Sequence, residues 1–157
     1  MRTIQLTRGF CATVDDEDYA WLSGLKWHAW VKTRSDGSKL VYAQGNAGKM
    51  HRLIAGAPQG AFVDHIDGNG LNNTRANLRL VTAKQNNMNR RGVCAASSQF
   101  KGVTWNKAKG KWQAAIRSDG RSKHLGLFSQ ERDAARAYDC AAVVAFGPFA
   151  KPNFLEA

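Results

Sequence analysis

Four residues, Asp67-Gly68-Asn69-Gly70, restrict this chain more than any others. Aspartate, asparagine and glycine tolerate a positive φ, so the strand-like run 63–66 must turn back where they follow it. Beyond the turn, residues 74–77 can open a short turn or helix, 78–81 look extended, and Thr82 is placed to cap a helix over about 83–91. The order is strand, loop, strand, helix. A loop and a helix start then gather Asp64, His65, Asn77 and Asn86, which are otherwise spread over 23 positions.

Those residue types suit phosphodiester chemistry. Asp64 offers an anionic oxygen and Asn86 a neutral amide oxygen, hard donors that favour Mg2+, Mn2+ or Ca2+ over zinc. Two protein ligands leave coordination positions for water and a phosphate. His65 stands beside the first of them, and a neutral imidazole that titrates near neutral pH can take a proton from an attacking water. Asn77 is expected to hydrogen-bond the far ring nitrogen of His65 and so fix its tautomer. Singly, each has a plainer use: the four-residue run as an ordinary turn, the histidine as structure, the asparagines as caps. Their joint arrangement is what argues for a site.

Asp-His, an asparagine twelve residues after the histidine and another nine further on, stand within Asp64-His-Ile-Asp-Gly-Asn69, Leu71-Asn-Asn73 and Asn77-Leu-Arg-Leu-Val-Thr82. This pattern closely resembles the HNH endonucleases with a ββα-metal motif, above all the homing-type subgroup whose last motif position is Asn. The resemblance implies that Asp64 and Asn86 bind a divalent ion, magnesium first and manganese second, that His65 is the base and that Asn77 orients it. It also implies a helix ahead of the hairpin, carried by Met50-His51-Arg52-Leu53-Ile54-Ala55-Gly56, with His51 used for packing and Arg52 for a phosphate. Members of this subgroup are mobile genes often carried by phages.

Charge points to the same kind of partner. Lys and Arg number 23 against 12 Asp and Glu, and a formal net charge of +11 on 157 residues creates a field that draws a polyanion. The excess is shared, 13 against 7 in residues 1–96 and 10 against 5 in 97–157, giving +6 and +5. No apolar run approaches the roughly 18 residues of a spanning helix, and residues 1–5 do not lead into a signal-peptide core. An intracellular protein with no membrane partner is expected, a monomer being favoured. Cys11, Cys94 and Cys140 lie far apart with no C-x-x-C pair, so neither a disulfide framework nor structural zinc is expected.

The first 48 residues read as scaffold. A strand-like segment, 4–14, breaks at Gly9, and Asp15-Asp16-Glu17-Asp18 starts a helix over 19–23 with four carboxylates at the positive end of its dipole. Residues 27–31 and 39–43 form a hairpin around the turn 35–38. Trp21, Trp27 and Trp30 are expected in the core, with His28 on the opposite, wetter face. Residues 57–61, with Pro58 and Gly60, connect helix to nuclease hairpin. Arg90 and Arg91 close the motif's helix, where they suit its dipole and stand beside DNA.

From Ser98 the pattern changes. Residues 99–105, 111–117 and 123–128 alternate apolar with polar side chains and are separated by Lys107-Ala-Lys-Gly110 and Ser118-Asp-Gly-Arg121, which predicts a three-stranded antiparallel sheet. Ser129 begins a helix over about 130–146 whose Ala134, Ala135, Tyr138, Ala141, Ala142 and Ala145 form a small-residue face, and Gly147-Pro148 stops it. The run Phe100-Lys-Gly-Val103, Lys111-Trp112, Ala114-Ala-Ile-Arg117, Leu125-Gly-Leu-Phe128, Ala134-Ala-Arg-Ala-Tyr-Asp139 and Phe146-Gly-Pro-Phe-Ala-Lys-Pro-Asn-Phe154 resembles the Apetala, or ethylene-response-factor, DNA-binding domain. That resemblance implies a sheet laid in the major groove, with Lys101 and Arg117 at basic contact positions and Lys109 near another contact position. Thr104 and Asn106 stand where the plant domains carry Arg, Ala115 where they carry an acid, and Ser122 and His124 where they carry Arg and Trp. The plant target sequence therefore does not carry over, while DNA contact by Thr104, Asn106, Lys123 and His124 is still expected.

The chain thus reads as α+β, with a nuclease domain over 1–92, a linker over 93–97 and an Apetala-type domain over 98–157. The expected function is metal-dependent cleavage of double-stranded DNA at a targeted site. The alternative is a DNA-binding transcription regulator without catalysis, and an RNA-directed nuclease is the weaker rival.

Overall fold

The break at Gly9 is a hairpin corner. Thr7–Gly9 form a 3-10 turn in which Arg8 takes a φ of 62°, and β1 (Arg2–Gln5) pairs antiparallel with β2 (Cys11–Val14). The computed structural model describes residues 1–34, 37–89, 97–118 and 120–154, in two units, Met1–Asn86 and Asn87–Ala157. The linker expected over 93–97 falls almost wholly outside the described residues, as do Arg90 and Arg91.

In the first unit α1 (Asp16–Leu22) is followed by β3 (Trp27–Thr33), β4 (Lys39–Gly45) and β5 (Gly48–Lys49), an antiparallel sheet in the order β3-β4-β5. After α2 (Met50–Ile54), β6 (Phe62–His65) pairs with β7 (Leu78–Val81), which runs into α3 (Ala83–Asn89). Ile4, Val14, Leu22, Trp27, Met50 and Ile54 meet in one buried cluster.

Only Trp27 of the three expected core tryptophans lies in that cluster. Side chains alternate along a strand, so Trp27 and Ala29, opposite Gly45 and Ala43, face inward. Trp30, three residues from Trp27, must face outward with His28, and it is 38% exposed; Trp21 is 44% exposed.

The acidic run does more than complement a helix dipole. Asp15 takes the cap position of α1 without a side-chain capping bond; its carboxylate accepts the Arg75 backbone N–H at 2.8 Å. Asp18, 1% exposed, accepts two bonds from the Arg75 guanidinium at 2.8 and 2.7 Å. A carboxylate removed from water needs such a partner, and the pair ties α1 to the turn ahead of β7.

In the second unit β8 (Val103–Asn106), β9 (Lys111–Ser118) and β10 (Arg121–Phe128) form an antiparallel sheet in the order β10-β9-β8, covered by α4 (Glu131–Phe146). The cap of α4 is Gln130 rather than Ser129. Its buried stripe is Ala134, Ala135, Tyr138, Ala142 and Phe146; the stripe follows the i+4 ridge, which leaves Ala145 exposed. Gly102 is obligatory here: its φ is 77°, and a Cβ would collide with the Tyr138 ring. Asp139 accepts bonds from the Asn153 backbone, the Asn153 amide and the Phe154 backbone at 2.7, 2.9 and 3.0 Å, which fastens the C-terminal segment to the helix. No described helix is long and apolar enough to cross a membrane.

Candidate active site and nucleic-acid surface

β6 and β7 set the site by register. Asp64 lies opposite Arg79 and His65 opposite Leu78. Asp64, 9% exposed, receives the Arg79 Nε and Nη2 donors on Oδ2 at 3.0 and 2.8 Å, so its charge is fixed in place by a cation within the protein.

The turn between the strands is built from amides. Asp67 Oδ1 accepts the Asn69 N–H at 2.7 Å and Asn69 Oδ1 accepts the Leu71 N–H at 3.1 Å. Asn77 braces this loop from below: its Oδ1 accepts the Asp67 N–H at 3.1 Å, and its Nδ2 donates to Asp67 Oδ1 and the Asn72 carbonyl at 3.0 and 2.8 Å. The loop is pinned to β2 as well, through Thr13 N–H to the Leu71 carbonyl and Asn73 N–H to the Thr13 carbonyl, at 2.9 and 2.8 Å.

The expected Asn77–His65 side-chain bond is replaced by one from Asn73. With both Asn77 Nδ2 hydrogens spent on the loop, its side chain shapes the turn, and its carbonyl holds the Ile66 N–H at 2.9 Å. Asn73 Oδ1 instead lies 3.3 Å from His65 Nε2. Because Asn73 Nδ2 donates to the Leu71 carbonyl at 3.2 Å, Oδ1 is the atom that faces the ring, and it can only accept. Nε2 therefore carries the proton and Nδ1 the basic lone pair.

Aromatic rings enclose His65 on the other side. His51 meets it edge-on at 4.9 Å between centroids, and Tyr42 lies 5.8 Å from His65 and 5.2 Å from His51. Burial pushes the His65 ring below its ordinary value, against the Asn73 hydrogen bond and the charges of Asp67 and Asp64, which raise it. Burial, with the charges of His65, Lys49 and Arg52, drives His51 down to about 3, and its Nδ1 is buried without a hydrogen-bond partner among the described residues. Gly70 permits the close approach: a Cβ there would strike the Val41 carbonyl and sit 2.6 Å from the Tyr42 ring.

Asn86 stands in the first turn of α3. That turn is closed by a reciprocal pair, Thr82 N–H to Gln85 Oε1 at 2.8 Å and Gln85 N–H to Thr82 Oγ1 at 3.2 Å, and Asn86 N–H bonds the Thr82 carbonyl at 2.9 Å. The Asn86 side chain is half-buried and makes no hydrogen bond to Asp64 or His65 among the described residues. Among those residues, too, no group of three or more His, Cys, Asp or Glu could hold a metal ion; Asp64 and Asn86, the pair expected to hold one, offer a carboxylate and an amide oxygen. These are hard donors of the type that suits a magnesium-like cation, so the donor chemistry fits.

Arg52 does not present itself to a phosphate. Its guanidinium donates to the carbonyls of Ala57, Pro58 and Ala61, because the connector 57–61 has carbonyls to satisfy and Arg52 is the donor beside them.

On the sheet of the second unit, cross-strand pairs sort the expected DNA contacts. Val103 and Ala114 pair and face α4, so Thr104 opposite Gln113, Asn106 opposite Lys111, Ala115 opposite His124 and Arg117 opposite Ser122 share the open face. Lys109 is exposed in the β8–β9 turn, its N–H bonded to Asn106 Oδ1 at 3.1 Å. Two of the expected contacts lie off that face. Lys123 pairs with the buried Ile116 and lines the helix side of the sheet with Arg121 and Cys140. Lys101 is half-buried with its ammonium 5.9 Å from the Tyr138 ring, against α4 rather than on the open face.

Asn73 and Arg79 were missed by sequence reasoning, although aligning the two strands around the turn places Arg79 opposite Asp64. Asn73 carried no such signal; it sits in an asparagine run that reads as turn.

The HNH endonuclease family model matches residues 49–88. Over 155 residues, 95% of this chain and 78% of the relative, the chain is 32% identical to an uncharacterized HNH endonuclease of Acanthamoeba polyphaga mimivirus. It is 38% identical over 68 residues to Protein 3.8 of Escherichia phage T7, covering 43% of this chain and 56% of that protein. A different region is similar to plant proteins: APETALA2-like protein 2 of Oryza sativa subsp. japonica is 42% identical over 76 residues, 48% of this chain but 17% of its own length.

Proposed function

The chain belongs to the HNH endonuclease family, and on that premise we propose that it is a metal-dependent, homing-type nuclease that cuts double-stranded DNA at sites chosen with help from its Apetala-like segment. Nucleases of this family generally depend on a divalent metal, and both kinds of domain act on DNA. The observation that carries the reading is His65, held neutral by burial, aligned by Asn73 and adjacent in sequence to a carboxylate that Arg79 locks in position.

His65 takes a proton from a water at Nδ1, the nitrogen left basic when Nε2 bonds Asn73. The Tyr42 and His51 rings restrict its rotation and keep bulk water from that side. Asp64 and Asn86 would hold a divalent ion, Mg2+ before Mn2+, and when bound it supplies charge stabilisation at the phosphate and the leaving oxygen. Arg79 keeps Asp64 oriented; Asn77 preserves the loop that carries both.

His65→Ala is expected to lower plasmid cleavage by roughly 10²- to 10⁴-fold while DNA binding persists, and excess chelator should abolish cleavage. Undiminished cutting by His65→Ala, or in chelator, would remove this mechanism.

A further inference from the structure

One face of the β3–β4–β5 sheet has no role in the core, and its composition suits a nucleic acid. Trp30 and Tyr42 are cross-strand partners and His28 pairs with Gln44, so these four share the face turned away from the buried Trp27 and Ala29; Lys49, opposite Gln44, joins them. Trp30 and Tyr42 meet with tilted rings 6.0 Å apart, and the Lys49 ammonium sits 5.1 Å from each centroid. Two aromatic faces hold that cation without neutralising it. Among the described residues no carboxylate pairs with Lys49, whereas Arg75 and Arg79 both have one.

Lys49 is also one ring removed from the base. Tyr42, whose ring supports the ammonium, lies against His65 and under Gly70 of the ββα loop. The charge of Lys49 is felt at His51, and that of Asp64 at Tyr42, which puts cation, carboxylate and imidazole around a single tyrosine.

We propose that Lys49 binds the substrate phosphate at the cleaved bond, with the Trp30–Tyr42 pair as its rest, and that this sheet face is the path by which DNA reaches His65. An ammonium on a non-bridging oxygen offsets the charge that grows as water adds to phosphorus, and its aromatic support removes the cost of ordering a flexible chain at that moment. Lys49 is then a catalytic residue of the nuclease reading, on which the kinetic part of this inference rests.

The test compares full-length wild type with Lys49→Met, which keeps the stem on the rings, and Lys49→Arg, which keeps the charge. Single-turnover cleavage of supercoiled plasmid in Mg2+ should fall roughly 100-fold in Lys49→Met and be largely rescued in Lys49→Arg. Binding of a duplex oligonucleotide in excess chelator should lose about 0.9 from the slope of log affinity against log salt in Lys49→Met alone. A Lys49→Met protein with a lower melting temperature but wild-type rate and salt slope would show a mere brace and overturn the proposal. Should Lys49→Met fail to fold, Lys49→Gln takes its place in both measurements. If wild type cuts no DNA, the nuclease reading falls, while the salt slope still decides whether Lys49 meets a phosphate.

Discussion

The two units spend their arginines differently. In the first, Arg52 satisfies three carbonyls, Arg75 clasps Asp18 with Glu17 alongside, and Arg79 holds Asp64; each of these three guanidiniums is bonded within the unit, although that of Arg75 stays half exposed. In the second, Arg117 lies exposed on an open sheet face, with Lys109 and Lys111 exposed at the hairpin tip, and none of the three makes an ion pair among the described residues. The units themselves, 1–86 and 87–157, carry +4 (11 Lys and Arg against 7 Asp and Glu) and +7 (12 against 5), and the first also exposes Arg2, Arg8 and Arg34. A count of cations measures attraction to DNA only after those that hold the fold have been subtracted, and the first unit must bend its loop with polar bonds where the second packs a helix on alanines.

The largest effect expected from that contrast is on stability. Arg75→Ala takes the cation from the buried Asp18 carboxylate, leaving it the Trp21 indole bond, and should cost about 1–3 kcal/mol, whereas Arg117→Ala should stay within about 0.5 kcal/mol. Urea unfolding of both variants measures this. Equal stabilities would mean that Arg75 is a surface charge and that the contrast between the units is false.

Arg79→Ala comes next, and it separates architecture from chemistry. Loss of the cation beside Asp64 leaves the carboxylate unoriented, and cleavage should drop about 10- to 100-fold, the usual range for a residue that positions a metal ligand. Raising the Mg2+ concentration should restore part of the rate, which distinguishes weakened metal binding from misfolding. No recovery at any Mg2+ concentration, with the fold intact, would exclude this role for Arg79.

How far the sequence reveals such things depends on whether a residue's partner is near in the chain. The hairpin around Asp67–Gly70 and the span of β7 are legible because strand periodicity and turn chemistry are local, and the capping role of Thr82 follows from Gln85 three residues later. The Asp18–Arg75 clasp, 57 residues apart, has no local signal; four acids before a helix already have a sufficient explanation in its dipole. Trp30 was misjudged by treating hydrophobicity without parity, since positions 27 and 30 of one strand cannot face the same way. Asn77 was placed in the right loop with the wrong partner, because an amide within reach of several groups is assigned only by the full hydrogen-bond pattern.

For the second unit the contrast predicts specificity rather than stability. Arg117 is on the middle strand of the open face, and Arg117→Ala should relax base preference by about 1–3 kcal/mol at one position, read from binding sites selected out of random DNA. Lys123→Ala, on the helix side, should leave both the selected motif and the affinity within about twofold. Reversal of the two results would put the DNA on the wrong face of the sheet.

The smallest effect concerns acid. The first unit buries two histidines, His51 and His65, at 6% and 5% exposure, while His124 of the second is exposed. His51 titrates at about 3 when folded and near 6.5 when unfolded, so between those values the unfolded chain binds a proton that the folded chain excludes. Stability from this residue is complete above the unfolded value and declines as pH falls below about 6.5, with a slope of at most about 1.4 kcal/mol per pH unit. His65, shifted the same way by burial, adds to the decline. Carboxylates enter only at lower pH, since their ordinary values lie near 4, so the interval from pH 7.5 to about 5 isolates the imidazoles. His51→Phe keeps a ring against Tyr42 and His65 but cannot take a proton, and its unfolding free energy should fall less over that interval than that of wild type. Urea titrations at the two ends, followed by tryptophan fluorescence, give the comparison; parallel declines in the two proteins would show that acid acts on the first unit through groups other than His51.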